Sequence, residues 1–304
     1  MDVLYQGVIQ LSPTARKVAH TAVVQRLKHV SQLGFGLPFI SRWEHSVGVA
    51  HLSRIAGETL QVEARDVLRL ELAGLLHDCG HGPFSHTFDK HFLVRHPSVM
   101  HKEHEDRSVL LVPMALEGIS ELDGEDVRWV QHMIRPSKIQ CPDPQKAFLG
   151  TIVANPYHGI DTDKLDYLGR DVIHLCRHGL LQRPLDNIDP TPVIRSIRAT
   201  SQQILFSEDH RSWIEDKSRT RLWMYKNVYL APSVIQAQDQ GVAEVLEPYK
   251  NKLLGAADSM AEFLQYHDGS FGPLPHFSIT LSENDSSKVE QHPDQVLPLV
   301  SYYR

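Results

Sequence analysis

Cysteine is scarce in this sequence of 304 residues, and its distribution excludes two classes of site. The three cysteines, Cys79, Cys141 and Cys176, are odd in number and far apart, and no C-x-x-C pair occurs. Neither a disulfide framework nor a thiolate zinc site is therefore expected. Because unpaired thiols are typical of a reducing compartment, we expect an intracellular, cytoplasmic protein, and a nuclear location stays open.

Long apolar runs and a leader segment are also missing. No stretch of about 18 apolar residues occurs, and the first residues lack a basic segment followed by an apolar one. We therefore expect a soluble protein without a membrane partner. With 41% hydrophobic residues, a chain of this length can fill a core of its own.

Positive charge is in deficit, which bears on the partners of the protein. The formal net charge is -6, whereas a protein that coats nucleic acid needs a dense cationic surface to neutralise phosphates. A local basic patch of Arg16, Lys17, Arg26 and Lys28 is interpreted as a solvated helix face. Nucleic-acid binding is left open but is not predicted.

Helical periodicity is what the sequence does have. Apolar residues recur at helical spacing through the first 180 positions, with breaks at glycine- and proline-rich segments such as 34–38 and 80–83. This pattern predicts an all-α fold, mainly a helical bundle, with a small irregular or short-strand appendage near the C-terminus. No internal repeat interrupts it.

The second half of the sequence is less regular. Over 183–209 prolines and β-branched residues predict a small strand element, after which helices are expected over 212–230 and 242–266. The simplest division is one domain over 1–240 and a short helical or extended appendage over 241–304. We expect the last 30 residues to be extended or poorly ordered.

Nineteen histidines are a heavy load, and their placement indicates a metal centre. An apolar helix over 70–76 ends at His77 and Asp78, just before the helix-breaking Cys79-Gly80. His45 and Asp163 belong to two other helical segments, so these four side chains can converge only in a bundle. Nitrogen and oxygen ligands together favour zinc, iron or manganese over calcium.

A His-Asp pair is by itself a weak signal, and the sequence contains a second one at His267-Asp268. A lone pair of this kind is usually a surface or capping pair. The first pair is followed by Gly-His-Gly-Pro-Phe-Ser-His over 80–86, and the second only by Gly-Ser-Phe. We therefore place the site at the first pair.

Two helical stripes could form walls of the same site. Asp163, Asp166, Tyr167, Arg170 and Asp171 share one face of a helix, which we interpret as a site wall rather than as an exposed face with internal ion pairs. A second stripe consists of Arg221, Tyr225 and Tyr229. It could bind a phosphate and bracket a sugar, or it could be plain core, and both interpretations stay open.

With these residues in place, the chain resembles the HD-domain deoxynucleoside triphosphate triphosphohydrolases, and within them the branch that also carries a SAM domain. We expect the HD domain alone, without a SAM domain. The resemblance runs from about residue 7 to residue 171 and resumes near Arg221. The motifs that carry it are Gln25-Arg26-Leu27, Gln32-Leu33-Gly34, Arg42-Trp43-Glu44-His45-Ser46, His77-Asp78-Cys79-Gly80-His81-Gly82-Pro83-Phe84-Ser85-His86, His104-Glu105 and Gly159-Ile160-Asp161-Thr162-Asp163-Lys164-Leu165-Asp166-Tyr167.

The resemblance implies a role for each matching position. Metal ligands would be His45, His77, Asp78 and Asp163. Triphosphate contacts would be Arg42, Lys164 and Arg221, with Tyr225 beside them. Sugar contacts would be Gln32 and Asp171 at the 3′-hydroxyl, Tyr167 beneath the ring, and Leu33 and Tyr229 closing the space for a 2′-hydroxyl. Residues of proton transfer and its support would be His81, His86, Asp89, His104 and Glu105.

The implied activity is conversion of a deoxynucleoside triphosphate (dNTP) to a deoxynucleoside and tripolyphosphate. A metal ion lowers the pKa of bound water toward about 7, so we expect a metal hydroxide to attack the α-phosphorus in line. His86 or His104 would give a proton to the leaving 5′-oxygen. Iron, zinc or manganese would occupy the His-Asp site, and magnesium would accompany the triphosphate.

The sequence departs from the family pattern at several positions. The guanine-sensing activator site of the family expects an aspartate and an arginine where this chain has His20 and Lys28, so activation by GTP is not expected. The family also expects histidines at Tyr225 and Ala231 and a lysine at Pro232, which puts triphosphate binding in question. We expect a homo-oligomer and favour a dimer.

Two other functions remain alternatives. An HD-type phosphodiesterase or 5′-nucleotidase would share the metal ligands but has no need of three cations around a triphosphate. A non-catalytic nucleotide-binding homologue would have no use for the complete ligand set and the proton-transfer histidines.

Overall fold

The computed structural model describes residues 2–182, 188–281 and 302–303. Over these residues the fold is mainly helical, which confirms the predicted class. The α-helices are α1 (Pro13–Ala19), α2 (Ala22–Gln25), α3 (Arg42–Thr59), α4 (Ala64–Leu76), α5 (His104–Leu116), α6 (Gly124–Ile134), α7 (Gly150–Val153), α8 (Thr162–Arg177), α9 (Thr191–Ile194), α10 (Arg211–Met224), α11 (Pro232–Gly241), α12 (Lys250–Ala257) and α13 (Met260–Phe263).

Shorter helical turns and strands connect these helices. Turns of π-helix span Thr87–Phe92, Tyr225–Tyr229 and Val242–Leu246, and turns of 3₁₀-helix span Arg26–His29, Leu93–Arg95, Pro144–Leu149, Glu208–His210, Glu247–Tyr249 and Asp268–Ser270. The strands are β1 (Arg198–Ala199), β2 (Ile204–Ser207) and β3 (Tyr302–Tyr303). Strand β1 pairs antiparallel with β2, with Arg198 opposite Leu205, and β2 pairs in parallel with β3.

These elements test the expectations for the second half of the chain. Strands β1 and β2 fall inside 183–209, where a small strand element is predicted, although 183–187 lie outside the described residues. Helices resume at α10, as predicted. Most of the last 30 residues also lie outside the description, so the expectation of an extended or poorly ordered end stays a prediction, as does the division near residue 240.

Helix α4 is the central element of the main core. Leu70, Leu72, Ala73 and Leu75 are fully buried, and the helix also buries the polar Glu71. The second half of the helix, residues 69–76, is therefore buried on every side, and its C-terminal end carries His77 and Asp78 into the interior. Gly80 follows this pair and lies directly against α5. A Cβ atom at position 80 would collide with Arg107 and with the backbone of that helix, so only glycine permits this close approach.

Helices α3 and α4 pack closely against each other. At their crossing a Cβ atom on Gly74 would lie 2.8 Å from backbone atoms of Val49 and Ala50, so only glycine permits this approach. The N-terminus of α3 is fixed by Ser41, whose hydroxyl accepts a hydrogen bond from the backbone N–H of Glu44 at 3.3 Å. The crossing brings the first turns of α3 next to the end of α4.

Helix α8 stands between two apolar clusters. Leu165 belongs to the main core, whereas Leu168, Val172 and Ile173 belong to a second cluster that also contains Leu4 and residues of α10. The start of α8 is capped by Asp161, whose carboxylate accepts the backbone N–H of Lys164 at 2.9 Å. This double packing fixes the polar face of α8 against α3.

The loop after α4 has an unusual backbone. Phe84 and Ser85 both lie in the left-handed region, with φ of 57° and 52°, which is costly for residues with side chains. The second His-Asp pair helps to hold this loop, because the Asp268 carboxylate accepts the backbone N–H groups of Phe84 at 2.7 Å and Ser31 at 2.9 Å. The second pair therefore has a structural role: Asp268 holds this loop and His267 caps the 3₁₀ turn Asp268–Ser270, which agrees with the capping role expected for a pair outside the site.

Two further findings concern the chain as a whole. None of the three cysteines, all of which are described, forms a disulfide. Within the described ranges, no helix combines the length and the apolar character that a membrane span requires.

The close approach at Gly74 gives a first prediction. Replacing Gly74 with alanine forces α3 and α4 apart, and we expect it to lower the free energy of unfolding by about 2 kcal/mol, as overpacking in a core does. Urea titration followed by circular dichroism measures the change. The matched control is Gly255→Ala on α12, where a Cβ meets open space and helix propensity favours alanine. Equal stability of the two variants would contradict the role of Gly74.

Candidate active site

A single cavity of about 580 Å³ brings together nearly all of the predicted site residues. This volume is typical of a pocket for a ligand the size of a nucleotide. The predicted residues that line it are Gln32, Leu33, Arg42, Asp78, His81, His86, Asp89, His104, Glu105, Asp163, Lys164, Tyr167, Asp171, Arg221, Tyr225 and Tyr229. The remaining two, His45 and His77, lie directly behind the cavity wall, in contact with Asp78 and Asp163.

The four predicted metal ligands converge at one end of this cavity. The Nε2 atom of His45 lies 3.2 Å from Nε2 of His77, 3.1 Å from Oδ1 of Asp163 and 3.5 Å from Oδ2 of Asp78. Nε2 of His77 in turn lies 3.4 Å from Asp78 and 3.5 Å from Asp163. Ligands bound about 2.1 Å from one ion lie roughly 3–3.5 Å from each other, so His45, His77 and Asp78 fit a single divalent cation, and Asp163 lies beside them in contact with both histidines.

The electrostatics of this group also favour a cation. Burial alone would lower the pKa of His45, but hydrogen bonds to Asp163 and Asp166 and the charge of Asp78 raise it to about 10. The pKa of His77 is likewise raised by Asp78 and Asp163 against the effect of burial. A divalent cation would balance the same carboxylates and would leave both imidazoles neutral, the form in which histidine binds metals. The donor set leaves open which metal binds.

Both histidines are oriented by partners on their other ring nitrogen. Nδ1 of His77 lies 2.8 Å from the carbonyl oxygen of Gly74, which can only accept, so Nδ1 carries the proton and Nε2 presents its lone pair. Nδ1 of His45 lies 2.8 Å from Oδ1 of Asp166. Although burial raises the pKa of Asp166, Arg170 and His45 lower it to about 2, so Asp166 is an ionised acceptor.

Asp166 is itself held by Arg170 and by two residues that the sequence does not single out. The guanidinium of Arg170 donates to both carboxylate oxygens, at 3.0 and 2.9 Å, and the hydroxyl of Tyr5 donates to Oδ2 at 2.7 Å. Asp2 completes the chain with a contact of 3.0 Å to Arg170. Asp166 and Arg170 belong to the polar stripe of α8 that is interpreted from the sequence as a site wall, but the sequence pattern gives neither of them a role in holding His45. No spacing in the sequence connects Asp2 or Tyr5 to this site.

A second cluster of potential ligands lies beside the first but has the opposite electrostatics. It comprises His81, His86, Asp89 and His104, whose polar atoms lie within 4.8 Å of one another. Burial and the positive charge of Arg42 hold the pKa of His81 well below the usual value. This environment disfavours a second cation, and we assign the metal centre to the first group.

The second cluster is arranged for handling protons. The rings of His81 and His104 stack with centroids 3.7 Å apart. Nδ1 of His104 lies 3.2 Å from Asp89 and 3.5 Å from Glu105, and Asp89 forms an ion pair with Arg107. His86 is exposed to the cavity, 5.5 Å from His104 between ring centroids.

Three cations line the cavity next to the metal group. Arg42 donates to Asp78 at 2.6 Å and to the Ser85 hydroxyl at 2.8 Å, which ties it to the left-handed loop. The Nζ atom of Lys164 lies 2.7 Å from the carboxylate of Asp161. Burial lowers the pKa of Lys164, but the charge of Asp161 raises it by more, so the pKa is raised overall. Arg221 donates to the hydroxyl of Tyr167 at 3.1 Å.

The second predicted stripe forms one wall, with a changed geometry. Helix α10 ends at Met224, and Tyr225 and Tyr229 lie in a π-helical turn instead of continuing an α-helix. Their rings meet edge to face at 5.3 Å, and the Arg221 guanidinium lies 5.6 Å from the centre of the Tyr225 ring. Both tyrosines line the cavity, so of the two open interpretations the structure favours the binding wall over the plain core.

A polar pocket follows beside this wall. The hydroxyl of Tyr229 donates to Oδ2 of Asp171 at 2.7 Å, while Oδ1 of Asp171 and Oε1 of Gln32 are buried with no hydrogen-bond partner among the described residues. Burial raises the pKa of Asp171 to about 7 even though Tyr229 and nearby cations act to lower it. Unpaired buried acceptors are costly, so a ligand that donates from a hydroxyl group would stabilise this pocket.

The metal group gives a second prediction. Replacing His77 and Asp78 together with alanine should abolish bound metal and leave most of the helicity intact, because two of four ligands are lost at the end of a helix. Elemental analysis of the purified protein and circular dichroism measure the two quantities. The control removes the same residue types at the surface, Asp209→Ala with His210→Ala, and should keep the metal. Stoichiometric metal in the first variant would refute the site.

The support of His45 by Asp166 gives a third prediction. Replacing Asp166 with asparagine keeps the size of the side chain but removes the charge that orients and polarises His45. We expect the affinity for Mn²⁺ to fall by about 10- to 100-fold. Calorimetric titration of metal-free protein measures this, with the exposed Asp216→Asn as control. An unchanged affinity would mean that Asp166 serves the core alone.

Comparison with known proteins agrees with this geometry. Residues 42–172 match the family model of the HD domain, a range that includes all four ligands. The chain is 30% identical to the deoxynucleoside triphosphate triphosphohydrolase SAMHD1 of Gallus gallus, in a match that covers 92% of this chain and 48% of that protein. It is 35% identical to the Homo sapiens protein of the same name, in a match that covers 56% of this chain and 32% of that protein. An HD domain-containing protein of Acanthamoeba polyphaga mimivirus is 26% identical over 96% of this chain and 67% of its own length.

These relatives also set the extent of the likeness. The chain spans about half the length of the chicken protein and about a third of the human one. The HD-domain match contains the metal group, Arg42 of α3, and Lys164 and Asp171 of α8. Residues 42–172 of this chain are therefore similar to the HD domain, and the chain is similar to part of the deoxynucleoside triphosphate triphosphohydrolases SAMHD1 of chicken and human.

Proposed function

We propose that this protein is a metal-dependent hydrolase that converts a dNTP to a deoxynucleoside and tripolyphosphate. The observation that carries the proposal is the content of one cavity. It holds a group of ligands for a divalent cation, three cationic side chains beside that group, and a polar pocket with unpaired acceptors. The names of the chicken and human relatives describe the same activity.

The cationic side chains fit a polyphosphate. A triphosphate carries about four negative charges near neutral pH, which must be balanced before a nucleophile can approach phosphorus. In this proposal Arg42, Lys164 and Arg221 bind the phosphate oxygens, and Tyr225 supports the Arg221 guanidinium. Because Arg42 and Lys164 already contact carboxylates, magnesium accompanying the substrate would supply part of the balancing charge.

The polar pocket fits a deoxyribose. Gln32 and Asp171 each offer an unpaired acceptor that a 3′-hydroxyl can satisfy. Tyr167 lies next to Arg221 and would support the sugar ring from below. Leu33 and Tyr229 border the same space and would leave no room for a 2′-hydroxyl. In this proposal the sugar is selected in two ways: close packing of Leu33 and Tyr229 at C2′ excludes a hydroxyl group, and Gln32 and Asp171 accept hydrogen bonds from the hydroxyl group at C3′.

The chemistry requires a water molecule that attacks the α-phosphorus and a donor for the leaving 5′-oxygen. A divalent metal held by His45, His77, Asp78 and Asp163 would lower the pKa of water and polarise the phosphoryl group. His86, open to the cavity, or His104, held by Asp89 and Glu105, would protonate the 5′-oxygen. His81 would keep His104 in place by stacking. The metal itself is proposed to be iron, zinc or manganese.

Analysis of the products tests the proposal. Purified protein incubated with dGTP and manganese should release deoxyguanosine and intact tripolyphosphate, which ion-exchange chromatography separates from phosphate and pyrophosphate. Stepwise release of phosphate, or hydrolysis of dGMP alone, would instead indicate a phosphodiesterase or 5′-nucleotidase. Tight binding of dGTP without any turnover would indicate a non-catalytic binding protein.

A further inference from the structure

A loop with an unusual backbone forms one side of the sugar pocket. It spans residues 32–40 and is closed at its base by a bridge between Ser31 and Ser41 and by a hydrogen bond of 2.7 Å from the backbone N–H of Gln32 to the carbonyl of Ile40. Gly34 and Gly36 both lie in the left-handed region, with φ of 75° and 80°. Phe35, between them, therefore has both of its backbone groups turned away from any local partner.

Gln238 of α11 provides the partners that Phe35 lacks. Its side-chain Nε2 donates to the carbonyl of Phe35 at 2.8 Å, and its Oε1 accepts the backbone N–H of Phe35 at 3.2 Å. The hydroxyl of Thr87 donates to the same Oε1. Gln238 is buried, so without it an N–H and a carbonyl would be left unpaired away from water, which is unfavourable.

The clamped loop carries the residues that border the sugar. Leu33 and Leu37, on the two sides of the clamped segment, both line the cavity, and both pack in the same apolar cluster as Tyr229. Tyr229 ends the π-helical turn that leads into α11. Gln238 therefore connects the two walls of the pocket, because it belongs to the helix that follows Tyr229 and holds the loop that contains Leu33.

We propose that Gln238 is a positioning residue that sets the discrimination of this site between deoxyribose and ribose. By fixing Phe35, it keeps Leu33 close enough to Tyr229 to exclude a 2′-hydroxyl. This inference rests on the proposed function and adds to it the residue on which sugar selectivity depends. Gln238 makes no contact with the reacting atoms in this proposal and acts only through the loop.

The experiment compares Gln238→Met with Gln236→Met. Both changes remove a side-chain amide from the same helix at nearly constant size, but Gln236 is exposed. The ratio of kcat/KM for dGTP to kcat/KM for GTP is measured for each variant and for the unchanged chain. We expect the ratio to fall at least about tenfold in Gln238→Met, mainly through a gain in GTP hydrolysis, which is the scale on which one small group changes specificity. Gln236→Met should keep the ratio of the unchanged chain.

Bound metal and thermal unfolding are measured on the same preparations. A folded, metal-loaded Gln238→Met variant with the original ratio would overturn the inference, because a purely structural role alters stability and not sugar selectivity. If that variant does not fold, Thr87→Val decides, since it removes only the hydroxyl that donates to Gln238 Oε1. It should lower the ratio in the same direction by a smaller factor, and an unchanged ratio would overturn the inference.

Failure of the inference and failure of the proposed function give different results. An unchanged chain that hydrolyses neither dGTP nor GTP would overturn the proposed function, and the inference with it. An unchanged chain that prefers dGTP, together with a Gln238→Met variant that prefers it equally, would overturn the inference alone.

Discussion

The structure depends on the balance of charge around His45. Three buried or half-buried carboxylates, those of Asp78, Asp163 and Asp166, surround this fully buried imidazole. Such a concentration of negative charge is stable in an interior only when it is paired with cations. Arg42 and Arg170 supply part of the positive charge, and a divalent metal would supply the rest. The packing of α3, α4 and α8, which depends on Gly74 at the α3–α4 crossing, brings these charged groups together.

The same charges divide the cavity into regions with different chemistry. The end beside His45 attracts a cation, whereas in the neighbouring histidine cluster burial and the charge of Arg42 hold the pKa of His81 well below its usual value, and Arg107 pairs with Asp89. The next wall of the cavity combines Arg221 with three tyrosines. The polar pocket beside it contains two buried oxygen atoms, of Asp171 and Gln32, that accept no hydrogen bond from the described residues. A substrate with an anionic group at one end and a hydroxyl group in its middle matches this arrangement. The anionic group would lie beside the metal, and the hydroxyl group would lie in the polar pocket.

Much of the fold and the site follows from the sequence, and the parts that do not follow share a cause. The helix that ends at His77-Asp78 and the polar face of α8 are local patterns, so periodicity and spacing predict them. The contact of Tyr5 with Asp166 joins residues 161 positions apart, and the clamp of Gln238 on Phe35 joins residues 203 apart, and no local pattern encodes either. The sequence does not predict the π-helical turn that begins at Tyr225. The four-residue spacing of Arg221, Tyr225 and Tyr229 fits an α-helix, and one turn is too short to distinguish an α-helix from a π-helix. A dimer, an intracellular location and the loss of activation by GTP stay predictions.

The left-handed backbone at Phe84 and Ser85 limits how this protein can evolve. Glycine at position 84 would relieve the backbone but would lose the ring that stacks on Phe35 at 3.9 Å. A β-branched residue at position 85 would increase the backbone cost and would remove or displace the hydroxyl that Arg42 contacts. Glycine would thus ease the backbone at either position only by giving up a contact, the Phe35 stack at position 84 or the Arg42 hydrogen bond at position 85.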